Sequence, residues 1–179
     1  MAIALTSLEV AALVGLDESR VRKDVEFGLF DAPRFSLPAL VYFRTMALLG
    51  FQVGVDDRRR ILGVIEEAMR RQKVPERVAL SSITELRVGD VAIEMEDKVD
   101  RFLAWKAKIV EDPAILGGEP VFPKSRTAVR RIGGLVLRGV AEAEILADYA
   151  DLTRDDLELA KLFVLAYPKK GRPREAAAR

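Results

Sequence analysis

Residues 117–126 read GGEPVFPKSR and stand between segments of helical periodicity. A proline ring fixes φ and leaves no N–H to donate, so Pro120 and Pro123, with Pro113 just upstream, forbid a continuous helix here. Gly117 and Gly118 add backbone freedom where the chain must turn. A chain of 179 residues that is otherwise helical in pattern is thereby broken at about two thirds of its length. The expected form of the break is a compact extended arm, with Val121-Phe122 as a short strand, lying across helices that follow it. The fold class is mainly α.

The function classes open to the chain are narrowed by what it lacks. It contains no cysteine, so it has no disulfide framework or thiolate chemistry, which suits a reducing compartment. It contains no histidine, which removes imidazole acid–base work and imidazole metal ligation. Only an all-carboxylate metal site or a Ser, Lys or Tyr mechanism remains for an enzyme. Glu94, Glu96, Asp97 and Asp100 in EMEDKVD are the one acidic cluster of note, and acids at a helix start explain them better than a metal does. The chain is read as no enzyme, with no metal and no cofactor. No apolar run approaches the ~20 residues of a membrane helix, and no signal peptide opens the chain, so a cytoplasmic location is expected.

Residues 5–30, LTSLEVAALVGLDESRVRKDVEFGLF, read as helix, turn, helix. Ser7 is the expected cap of the first helix, with Val10, Ala11 and Val14 on one face and Gly15 as its stop. Asp17 would cap the second, which turns Val21 and Val25 inward and Ser19, Arg20, Arg22, Lys23 and Glu26 outward. Arg20, Arg22 and Lys23 suit guanine edges or phosphates, and Ser19 a phosphate. The plain alternative is a helical hairpin with a solvated charged face. A short loop through Pro33, Arg34 and Phe35 and a helix capped at Ser36, with Pro38 in its first turn, favour the DNA reading.

That layout, with SLEVAALVGL, SRVR and PRF, resembles the MerR-like winged helix-turn-helix family over about the first fifty residues. The resemblance implies that the second helix enters the major groove through Ser19, Arg20, Arg22 and Lys23. It places Arg34, Tyr42 and Arg44 on phosphates. Residues 1–60 hold eight acids and eight bases, so one copy has a weak electrostatic footprint and a homodimer reading two half-sites of operator DNA is expected.

Residues 56–72 form an amphipathic helix with Ile61, Leu62, Ile65 and Met69 inward; its Arg58, Arg59 and Arg60 are read as a solvated face, with contact to DNA as the alternative. Two β-branched runs in 78–95 flank Gly89-Asp90 and read as a β-hairpin, which must pair either with a second subunit or with its own helices. A helix over 96–110 then carries Val99, Phe102, Leu103 and Trp105. The expected division is a winged-helix domain at 1–75, a hairpin-and-helix connector at 76–108, a three-helix domain at 109–168 and a flexible basic tail at 169–179.

In the third of these, DPAILGGEPVF, SRTAV, GVAEAEILADY and LTRDDL resemble the family of domain-of-unknown-function 433, found in VapB-type antitoxins. Lys124-Ser125-Arg126 and Ala150 depart from its usual pattern. Three helices are expected after the arm, capped at Thr127 and Thr153 where a side chain caps them, with Ile132, Leu135, Val136, Leu157, Ala160, Val164 and Tyr167 inward. The family's helix-turn-helix label would make this a second DNA reader. Glu142, Glu144, Asp148, Asp151, Asp155, Asp156 and Glu158 argue against that, because phosphates would repel them.

The tail KKGRPREAAAR carries Lys169, Lys170, Arg172, Arg174 and Arg179 against Glu175 alone, whereas the whole chain is only +1. Three roles stay open for it: a solubilising tail, a minor-groove arm built on Gly171-Arg172-Pro173, or a toxin-binding segment. The last follows from the antitoxin resemblance, which implies that Arg172 and Arg174, aided by Lys169 and Lys170, occupy the acidic magnesium site of a PIN-domain ribonuclease toxin. The expected function is a type II antitoxin that neutralises such a toxin and represses its own operon. The alternative is a MerR-like transcriptional regulator without a toxin.

Overall fold

The computed structural model of the chain describes residues 2–30, 34–49, 53–71, 77–79 and 85–169. Strand β1 (Ala2–Ala4) leads into helices α1 (Ser7–Val14) and α2 (Glu18–Glu26). Strand β2 (Arg34–Ser36) returns antiparallel to β1 with Ile3 opposite Phe35, so the pair closes the first helices into one unit. Helices α3 (Leu37–Leu48) and α4 (Val55–Arg70) follow.

The cap of α1 is Thr6 rather than Ser7. The Thr6 hydroxyl accepts from the Glu9 amide at 3.2 Å, and the Glu9 carboxylate accepts from the Thr6 amide at 2.8 Å, a reciprocal box that satisfies two orphan donors. Gly15 ends the helix at φ 78°, where a side chain would be strained, and the amides of Gly15 and Leu16 both bond the Ala11 carbonyl at 3.0 Å. Everything on α1 from Glu9 to Val14 is buried, and α3 buries the unbroken run from Ala39 to Phe43. These two are core helices. Phe30, Phe35, Tyr42 and Phe43 interlock around the second, with ring centroids 4.8 to 6.2 Å apart.

The hairpin is displaced from its expected place. Strands β3 (Val78–Ala79) and β4 (Glu85–Leu86) pair antiparallel, with Val78 opposite Leu86, and β3 lies against α4. Gly89 and Asp90 are not its turn; they sit in the first turn of α5 (Val88–Lys106). The reason is the period of the apolar side chains. Val88, Val91, Ala92, Met95, Val99 and Phe102 recur at helical spacing and are buried, whereas Ile93, which a strand would align with Val91 and Met95, is 70% exposed. Asp90 near the helix start suits the dipole.

After α5 the arm takes the expected extended form. Val121 bridges Val110 on one side and Ala128 on the other, with Val121–Val110 backbone bonds of 3.0 and 3.1 Å. A single 3₁₀ turn (Leu116–Gly118) lies within it. Helices α6 (Val129–Leu137), α7 (Glu142–Asp148) and α8 (Arg154–Ala166) complete the chain's described part. Thr127 does not cap α6: the cap position is Ala128, which makes no side-chain cap bond. Thr153 does cap α8, in a second reciprocal box with Asp156.

Helix α6 packs on α8 through Gly133. A Cβ there would stand 2.6 Å from Val164 Cγ2 and 2.8 Å from the Ala160 carbonyl carbon, so only glycine permits this approach. The other side of α8 lies on α1. The Trp105 indole donates to Asp156 at 3.0 Å, and Arg101 reaches Asp155 at 3.1 Å and Glu158 at 3.0 Å. One buried cluster therefore runs from Leu5 to Ala166.

Candidate nucleic-acid interface

Helix α2 is anchored by three residues of one stripe. Val21 and Asp24 are buried and Val25 is half-buried. An aspartate in an apolar stripe needs partners, and Asp24 has two: the Tyr42 hydroxyl donates to its Oδ2 at 2.9 Å, and Arg58 of α4 pairs with its Oδ1. Burial pushes the Asp24 carboxyl up, against the pull of the Tyr42 hydrogen bond and the Arg58 charge. Burial and the Asp24 charge raise the Tyr42 phenol well above its ordinary value, so it remains a donor. Arg58 also lies over the Phe27 ring, 5.5 Å from its centroid, and Arg59 donates to the Phe27 carbonyl at 3.2 Å. The C-terminal end of α2's inner face is thus tied to α3 and α4.

At 3.6 residues per turn, this inner stripe turns Ser19, Lys23 and Glu26 outermost, and all three are exposed. Arg20, half-buried, lies on the flank toward α4, where it shares a concavity with Lys23, Val53 and Arg58. Arg22 is exposed on the opposite flank, beside Thr6, Ser7 and Leu8 at the start of α1. Ser19, Arg20, Arg22 and Lys23 are therefore brought together on one surface helix.

Two sequence-derived phosphate contacts do not belong to that surface. Tyr42 has no exposed surface and spends its hydroxyl on Asp24. Arg44 points inward, pairing with Glu94 of α5 at 2.9 Å and donating to the Val14 carbonyl at 3.3 Å, where it neutralises the negative end of α1. Both lie on α3 in phase with its buried face, and the aromatic and aliphatic run around them was the available signal. The backbone of Arg34 contributes to β2, while its side chain lies outside the described residues, as do residues 31–33, where the sequence reading set the short loop.

Arg58 departs from the solvated face read from the sequence, its side chain being 15% exposed. Arg59 and Arg60 match the expectation better, both exposed and paired with Asp56 at 3.4 Å and Asp57 at 3.5 Å. The acids Glu94 and Asp97 are occupied by Arg44 and Arg101, and no group of three potential metal ligands occurs among the described residues. No helix among the described residues is long and apolar enough to cross a membrane.

At the far end of the chain, the root of the tail is held by the fold. Lys169 pairs with Glu119 of the arm at 3.1 Å, and Arg130 donates to the Tyr167 carbonyl. Tyr167 and Lys106 converge on the buried Glu9 of α1, with Lys106 Nζ 2.8 Å from Glu9 Oε1. Burial raises the Glu9 carboxyl, but the bonds from Lys106, Thr6 and Tyr167 together outweigh it and hold the group below its usual value. Lys170, Arg172 and Arg174 lie outside the described residues. On α7 and the start of α8, Glu142, Glu144, Asp148, Asp151, Asp155 and Glu158 are all exposed, an acidic surface far from attractive to phosphates.

Residues 109–164 match the family model described as a protein of unknown function, DUF433. The match begins at Ile109, ahead of the arm, and ends within α8. No curated protein and no solved structure matches the chain.

Proposed function

We propose that this chain binds duplex DNA through α2 and acts as the antitoxin of a toxin–antitoxin pair, repressing its own operon and neutralising a PIN-domain ribonuclease. The observation that carries the DNA half is the surface of α2. Ser19, Arg20, Arg22 and Lys23 stand together on a helix whose opposite stripe is locked to α3 and α4 through Asp24, Tyr42 and Arg58. A rigid, cationic, outward-facing second helix of a helix-turn-helix is the form that enters a major groove. The MerR-like layout of the first fifty residues and a dimer reading two half-sites belong to this proposal.

The toxin half rests on the antitoxin resemblance of 109–164 and on the composition of the tail. Arg172 and Arg174, with Lys169 and Lys170 behind them, would meet a carboxylate-lined metal site bidentately. Lys169 must then exchange Glu119 for the partner. No catalytic step is assigned to the chain, and it is proposed to work in the cytoplasm.

A second reading, a MerR-like regulator without a toxin, is favoured by one observation. A cleft of about 210 Å³ between the end of α5, the arm and α8 carries Lys106, Arg130, Phe163 and Tyr167 and offers a place for an effector. One experiment tests DNA binding under both readings, and a second separates them. Arg22→Ala with Lys23→Ala should abolish the shift of the chain's own promoter fragment under either. A chain ending at Pro168 should keep DNA binding and lose protection against the product of the neighbouring gene; full protection by the truncated chain removes Arg172 and Arg174 from the mechanism.

A further inference from the structure

The three cations of α2 do not share one environment, and the difference assigns them different partners. Arg20 and Lys23, three residues apart on α2, face Arg58 on α4 across a concavity of about 130 Å³ that Val53 also lines among the described residues. That space is several times the roughly 30 Å³ taken by one water. The fixed member of the set is Arg58, clamped by Asp24 below and by the Phe27 ring beside it. Among the described residues, no acidic side chain lines the concavity. Asp24 is buried and shared between Tyr42 and Arg58, and Asp56 and Asp57 are exposed and engaged by Arg59 and Arg60. Three cations against the single buried carboxylate leave the concavity with a positive excess at a position beside the outermost face of the helix.

We infer that this concavity, between α2 and the start of α4, is the seat of one DNA backbone phosphate, held by Arg20, Lys23 and Arg58. This rests on the DNA-binding reading above and refines it. Arg20 becomes a positioning contact that carries no sequence information, and Arg58, a residue of α4, joins the interface. Ser19, Glu26 and the outer reach of Lys23 are left to face base edges. Arg22, on the opposite flank, meets the other side of the groove. Direct contacts to phosphate set the register of a helix in the groove, and base-edge contacts set its sequence preference.

The test uses the full chain and two duplexes, the promoter fragment and a scrambled sequence of equal length, titrated by fluorescence anisotropy across a salt series. Arg20→Gln is the main variant, because it removes the charge without stripping Asp24 of its partners. Arg58→Lys keeps a cation at the clamp while losing the fork, and circular dichroism checks that both variants fold. The expected result for Arg20→Gln is a similar fold-loss of affinity on both duplexes and a salt slope reduced by about one. A wild-type slope in Arg20→Gln, with Arg22→Ala still lowering affinity, overturns the seat and leaves the DNA reading standing. A sequence-selective loss in Arg20→Gln overturns it too, since Arg20 would then be reading bases. If the wild-type chain binds neither duplex, the DNA reading and the backbone seat fall together. Inorganic phosphate titrated against the arginine side-chain signals then shows whether the concavity takes the free ion instead.

Discussion

Asp24 is a charged residue in a stripe that otherwise packs α2 onto its neighbours, and the molecule answers it with a phenol and a guanidinium. Removing the Tyr42 hydroxyl leaves one carboxylate oxygen short of a donor in a buried site. Tyr42→Phe should therefore cost on the order of 1–3 kcal/mol in urea unfolding, and it should weaken DNA binding only through the orientation of α2. Glu9 makes a second such test at the other end of the core. Its carboxyl is held below its usual value, so the stability it contributes is present above the unfolded value of 4.5 and is lost as pH falls through the lower folded value. Lys106 is shifted the other way: burial lowers it, but Glu9 and Tyr167 raise it further, so its contribution is present below 10.5 and fades as pH rises through the folded value. Unfolding followed at several pH values should show wild type losing stability on the acid side, and Glu9→Gln flattening that limb. An unchanged acid limb in Glu9→Gln would show that the Glu9–Lys106–Tyr167 convergence is not what steadies α1 against α8.

Among the elements, the α6–α8 crossing depends on a missing side chain. Gly133→Ala must push α6 away from the Ala160 backbone, which cannot yield as a flexible side chain would. A loss of about 1–3 kcal/mol or more is expected in thermal or urea unfolding. Thr6→Ala should cost about 1 kcal/mol through α1, since it opens the box that Glu9 closes. Helices with strong periodicity, such as α4 with Ile61, Leu62 and Ile65, were legible in the sequence because a one-sided apolar stripe has a single solution. The start of α5 was not, since Gly89-Asp90 between β-branched residues mimics a hairpin turn until one asks which face Ile93 shares. Thr6 and Ser7 are adjacent cap residues, and the presence of Glu9 three positions after Thr6 was the signal that distinguishes them. The contacts of Tyr42, Arg44 and Arg58 were out of reach for another reason. Each partner lies on a different helix, at separations of 18 to 50 residues in the chain, and no local pattern records them.

For the whole molecule, the account is one of two ends joined by a shared core. The cationic face of α2 stands at one place on the surface and the acidic surface of α7 and α8 at another, while α8 itself packs on α1. The DUF433-matching segment ends within α8, which packs on α1; just outside that segment Lys106 and Tyr167 both converge on Glu9 of α1, and the tail begins two residues after that tyrosine. The central claim is that α2 is the part of this chain that meets DNA. The most direct measurement is the affinity of the full chain for its own promoter fragment, compared with that of the folded Arg22→Ala, Lys23→Ala chain at the same salt concentration. The account predicts a clear shift for the first and none for the second; equal affinity for both would contradict it.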